Sequence, residues 1–152
     1  MNQNSTGRIA GIDYGTVRIG IALADLSSGF ASPYENYTRQ GEVADSLHFQ
    51  KLVRQENLCR LVVGLPVHLD GHESQKSHEA RAFGAWLGQV TGLRIDYFDE
   101  RYTSAEAEAY LTEARLTKKQ RRARRDQLAA QIMLTAYLES GARSQNKPHG
   151  LE

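Results

Sequence analysis

The sequence predicts an α/β domain built on a single mixed five-stranded sheet with helices on both faces, and three observations carry this. Short apolar, β-branched runs alternate with longer stretches of helical periodicity. One of the runs, "RLVVGLP" at 60–66, is continuously apolar, as in a strand buried on both faces, and such strands belong to sheets covered by helices. The length of 152 residues suits one domain that buries about two-thirds of its unfolded surface.

In chain order, "RIAGIDY" (8–14) and "RIGIALA" (18–24) flank "GTV" and read as a tight β-hairpin. "PYENYTR" (33–39) alternates aromatic and polar residues and supplies a third antiparallel strand. Residues 42–57 are helical, with Phe49, Leu52 and Val53 at helical spacing, and the strand at 60–66 ends on a proline. Ser74 to Val90 is an amphipathic helix whose stripe is Ala80, Phe83, Leu87 and Val90. "RIDYF" (94–98) is the fifth strand. "TSAEAEAYLTEARL" begins with a capping-box pattern, Thr103 to Glu106, and reads as helix. A last helix covers "DQLAAQIMLTAYLES" (126–140). The order βββαβαβαα implies the single mixed sheet. Residues 1–7 are expected to be flexible, 8–140 to form the domain, and the polar tail 141–152 to be disordered.

Hydrophobic content of 40% and charged content of 24% are those of a soluble globular chain. No apolar run approaches a membrane span and "MNQNSTGR" is not a signal peptide, so no membrane partner is expected. Cys59 is the only cysteine, cannot close an internal disulfide, and fits a cytoplasmic location; it reads as a small apolar side chain just before a strand. The net charge of +1 hides an asymmetry: "KKQRRARR" (118–125) carries six positive charges, leaving −5 on the rest. One concentrated basic segment, lying between two helices, points to a polyanion met at one place; otherwise it is a solvated loop.

Asp13 ends the first strand, inside an otherwise apolar run. Asp99 and Glu100 follow the last strand at its carboxyl end, where open α/β sheets place ligands. Asp126 opens the final helix on the face shared by Ala129, Ala130 and Met133. Each acid has a plain alternative: Asp126 as an N-cap, Asp13 as a turn residue, Glu100 as a partner of Arg101. Together at one sheet edge they would repel unless a cation joined them, and carboxylate oxygens suit Mg²⁺ or Mn²⁺. Two such ions about 4 Å apart activate a water and stabilise the leaving oxygen of a phosphodiester. Gly15, lacking a Cβ, would let metal or phosphate approach.

The motifs "DYGTVRIGIA", "VVGLPVHLDG", "DERYTSAEA" and "RDQLAAQIML" resemble, in order and spacing over about residues 8–140, the YqgF (RuvX) family. That family is a bacterial branch of the RNase H-like nucleases, related in fold to the RuvC resolvases. Its members were first described as candidate Holliday junction resolvases and are now regarded as nucleases that mature the 5′ end of 16S ribosomal RNA. The resemblance implies an RNase H-like fold, a two-metal-ion phosphodiesterase and an acidic triad of Asp13, Glu100 and Asp126. Asp99 is the alternative to Glu100, because adjacent residues at a strand end face opposite ways. Precursor rRNA or branched DNA would be the partner, with the oligomeric state, monomer or dimer, left open. Gly15, Arg18, Lys118, Lys119, Arg121, Arg122, Arg124 and Arg125 are the expected nucleic-acid contacts.

His68 stands where the family pattern has asparagine, and with His72, Asp70 and Glu73 it forms a weak zinc-like spacing. "IDYGTVRIGIAL" is also similar to the first phosphate hairpin of actin-like ATPases and sugar kinases. Those proteins clamp a nucleotide between two such domains, and this chain supplies one without a second glycine-rich hairpin. A non-catalytic nucleic-acid-binding module would keep the basic segment but has no use for three acids.

Overall fold

The computed structural model describes residues 7–66, 72–100 and 118–145, the last with side chains from 128 to 141. Strands β1 (Arg8–Asp13), β2 (Arg18–Asp25) and β3 (Phe30–Thr38) form an antiparallel meander. β4 (Leu58–Leu65) and β5 (Arg94–Asp99) run parallel to β1, and the order across the sheet is β3-β2-β1-β4-β5. The carboxyl ends of β1, β4 and β5 therefore meet at one edge of the sheet.

Alternation along the strands divides the apolar residues between two cores. Ala10, Ile12, Leu61 and Val63 pack with Phe49 and Leu52 of α1 (Glu42–Glu56) and with Phe83 and Leu87 of α2 (Gln75–Thr91). Ile9, Val62 and Phe98 face the other way, onto Ala130, Met133 and Leu134 of α3 (Lys118–Gln145). Ala22, Ala24 and Ala31 keep that second face shallow. Gly11 then becomes necessary: a Cβ there would lie 2.9 Å from Leu134 Cβ and 3.2 Å from the Ala130 carbonyl oxygen.

Local chemistry sets the element ends. α1 stops at Asn57, in the left-handed conformation at φ 52°. Ser74 caps α2: its Oγ accepts from the Ser77 N–H at 3.1 Å and donates to the Pro66 carbonyl at 2.9 Å. The start of α2 is thereby tied to the end of β4. A register shift between Ile21 and Ala22 lies opposite Pro33, as expected of a proline in an edge strand.

The last helix differs from expectation. α3 begins at Lys118, not residue 126, and runs to Gln145, beyond the residue-140 end read from the sequence. The basic run is therefore helical, because Lys, Arg, Gln and Ala are all strong helix formers and nothing between 118 and 140 breaks the pattern. Asp126 lies inside α3 and is not its N-cap. Cys59 lies within β4, not before it, and is exposed. The expected helix at 103–116 with its capping box, His68 and Asp70 lie outside the described residues.

Candidate active site

Asp13 is the last residue of β1 and shares the α3 face with Ile9 and Gly11 by strand parity. Ile12 pairs with Val63, so Asp13 and Gly64 stand side by side one step further on. Glu100 follows β5 directly. A Cβ added to Gly64 would lie 2.6 Å from Glu100 Oε1 and 3.2 Å from Met133 Cγ. The Glu100 carboxyl thus folds back over β4 on the α3 face, in the space that the missing Gly64 side chain leaves. Asp99 shares its parity with Tyr97, whose hydroxyl donates to the Arg81 carbonyl of α2 at 3.1 Å. Asp99 therefore belongs to the opposite face from Asp13 and Glu100.

Burial pushes the Glu100 carboxyl above the ordinary carboxylate range; Lys76 draws it part of the way back, and Asp99 adds to the rise. Such a group gains from a nearby cation when ionised. Asp13 and Glu100 are thus two half-buried carboxylates on one face at one sheet edge; among the described residues no group of three or more His, Cys, Asp or Glu forms a metal cluster.

α3 crosses β1 at Gly11, two residues before Asp13, and carries position 126 one turn ahead of Ala130. The side chains of Asp126, Lys118, Lys119, Arg121, Arg122, Arg124 and Arg125 lie outside the described residues; their backbone is the first turns of α3. Arg18 opens β2 and is exposed at the mouth of the hairpin. Gly15 has a local reason to be glycine: a Cβ there would overlap the backbone carbonyl oxygen of Arg18. Closure of the hairpin requires it whether or not a ligand approaches. Of the zinc-like spacing, Glu73 is engaged elsewhere, by Arg81 and by His78 at 3.5 Å.

Two residues escaped sequence reasoning. Gly64 makes room for Glu100, and a glycine interrupting a buried apolar run is the signal of such an approach. Lys76, in the first turn of α2, acts on Glu100 from a helix that sequence alone does not place beside it.

A model of the RuvX family, described as Holliday junction resolvase, matches residues 7–140. A relative from Rhodopirellula baltica, provisionally named a pre-16S rRNA nuclease, is 44% identical over 90% of this chain and 79% of its own. A relative of the same provisional name from Neisseria gonorrhoeae is 36% identical over 93% of both chains. Among solved structures, Thermus thermophilus RuvC in complex with a Holliday junction substrate superposes with a TM-score of 0.56 at 13% identity, over 89% of this chain and 96% of that one. The yeast mitochondrial Holliday junction resolvase Ydc2 gives 0.50 at 10%, over 92% and 81%. At these identities the likeness is one of fold.

Proposed function

The chain belongs to the RuvX family, and from that membership we propose that it is a metal-dependent nuclease that trims the 5′ end of 16S rRNA from its precursor. The observation that carries the proposal is Glu100 seated over Gly64, on the face and edge that also hold Asp13. An acid turned onto the buried face of a sheet, above a glycine that makes room for it, has little purpose as a surface group. The provisional name shared by relatives across nearly the whole chain supports precursor rRNA as the substrate.

Asp13 and Glu100, with Asp126 as the third carboxylate, would hold Mg²⁺ or Mn²⁺, which when bound supplies the positive charge that activates water and steadies the leaving oxygen. Asp13 keeps its position because β1 is central in the sheet and hydrogen-bonded on both sides. Gly64 fixes where the Glu100 carboxyl comes to rest. The cationic turns of α3 and Arg18 would grip phosphates without reading sequence. Location in the cytoplasm is part of the same proposal; among the described residues no helix is long and apolar enough to cross a membrane.

Cleavage of precursor 16S rRNA and of a four-way DNA junction should be compared in parallel, with Mg²⁺ and with Mn²⁺. The expected result is cation-dependent cleavage of the RNA in preference to the junction. Preference for the junction would make the protein a resolvase with the same chemistry. Binding without cleavage of either would make it a nucleic-acid-binding module.

A further inference from the structure

On the face away from α3, an open cleft of about 320 Å³ lies between the β1–β2 hairpin, the start of α1 and one side of α2. Its volume is that of a small-ligand pocket. Tyr14, Phe83 and Trp86 wall it: the Tyr14 and Phe83 rings are 4.9 Å apart between centroids, and Phe83 and Trp86 5.4 Å. The guanidinium carbon of Arg39 lies 5.6 Å from the Tyr14 ring centroid and 5.3 Å from that of Phe83. Arg39 is held there, its Nε donating to the buried Asp45 at 3.3 Å and an Nη to the Tyr14 hydroxyl at 3.4 Å. Glu42, Glu79 and Ala82 complete the lining.

We propose that this cleft is a subsite for an unpaired, amine-bearing nucleobase of the strand that the nuclease cuts, an inference that rests on the function proposed above. The half-buried Tyr14 and Trp86 rings, backed by the buried Phe83, and the Arg39 guanidinium form a surface for a flat π-system, the means by which proteins hold unstacked bases. The two carboxylates repel a phosphate and accept hydrogen bonds from the exocyclic amine of adenine, cytosine or guanine. An apolar side chain from a protein partner would cover the same carboxylates without pairing them. Position supplies the rest. Tyr14 follows Asp13 directly and packs against the opposite core, so the cleft opens at the same end of β1 that carries Asp13, and the proposed strand would pass around that end.

Trp86 is the only tryptophan in the chain, so its fluorescence reports this cleft alone. Asp13→Asn protein would be titrated with single-stranded oligocytidylate, oligouridylate and an abasic strand of equal length. Oligocytidylate should quench Trp86 and bind about 5- to 100-fold more tightly than the abasic strand. Oligouridylate, which lacks the amine, should fall between them. Trp86→Leu should shrink the advantage of the base-bearing strand and leave abasic affinity unchanged, with Trp86→Phe restoring most of it. Equal affinity for all three strands without quenching would overturn the base subsite and leave the nuclease proposal standing. Failure of every strand to bind would also overturn the base subsite, and the nuclease proposal would then rest on whether the parent protein cleaves precursor rRNA.

Discussion

Asp13→Asn should fold normally and lose metal-dependent cleavage, because an amide cannot supply the charge that holds a cation. Removing one ligand from such a cluster costs several kcal/mol of transition-state stabilisation, on the order of a thousandfold in rate. Cleavage at the parent rate by folded protein would remove Asp13 from the site. The opposite faces of Asp99 and Glu100 rank their substitutions: Glu100→Gln should be far more damaging than Asp99→Asn in a matched assay, and the reverse order would move the ligand to Asp99. Gly64→Ala separates position from presence. The new methyl would meet the mobile end of Glu100 and the flexible Met133, so the melting temperature should move little while activity drops at least tenfold. Unchanged activity in Gly64→Ala would mean that where Glu100 rests is irrelevant. Asp13, Asp99 and Glu100 were legible in the sequence because each interrupts or follows an apolar run, and Asp126 because it shares a helix face with Ala129, Ala130 and Met133. Which of Asp99 and Glu100 turns toward α3 was not, since that depends on how β5 registers against β4, and neighbouring residues look alike in one dimension.

At the scale of the element, the backbone of α3 carries the chain's basic run. Its first turns hold Lys118, Lys119, Arg121, Arg122, Arg124 and Arg125 with no acid in the first turn. Six cations within eight residues of sequence concentrate like charge, which is costly unless a polyanion meets it. A phosphate backbone would neutralise that charge. Changing Arg121, Arg122, Arg124 and Arg125 to alanine should keep the helix, since alanine is the strongest helix former, while weakening binding to every substrate. If all four meet phosphate, the slope of log affinity against log salt should flatten by roughly 3 for single-stranded substrate. An unchanged slope would return this part of α3 to plain solvent exposure. The charge run itself was plain in the sequence, but its helical state was not. Residues 118–125 lack an apolar stripe, and the apolar face of Ala129, Ala130 and Met133 marks a helix only from about residue 126.

Across the whole molecule, the succession of strands and helices along the chain followed from the pattern of apolar runs, whereas the cleft beside Tyr14 did not. Its walls come from positions 14, 39, 83 and 86, which only the folded sheet brings together. What anchors α1 to the meander is equally non-local, and it predicts how the fold responds to pH. Asp45 of α1 is fully buried and accepts hydrogen bonds from the Tyr37 hydroxyl at 2.6 Å, the Gln40 N–H at 2.9 Å and Arg39 Nε at 3.3 Å. Burial alone would raise its carboxyl, but these bonds hold it below the ordinary value. A carboxyl lowered by folding contributes its full stability above the unfolded value of about 3.9 and loses it as the pH falls through the folded one. Tyr37 has the opposite sign. Burial first, then its bond to the Asp45 carboxylate, push its hydroxyl up to about 12. Its contribution is complete below the unfolded value of about 10 and is lost as the pH climbs from there toward 12. Asp45→Asn should therefore lower stability near neutral pH by on the order of 2 kcal/mol and flatten the decline in acid. Tyr37→Phe should flatten the decline in alkali, where the parent must strip a proton from a buried donor. Denaturant unfolding measured from pH 2 to 12 on the three proteins tests both limbs; variants that retain the parent's profile would mean that the Tyr37–Asp45 pair does not link the meander to α1.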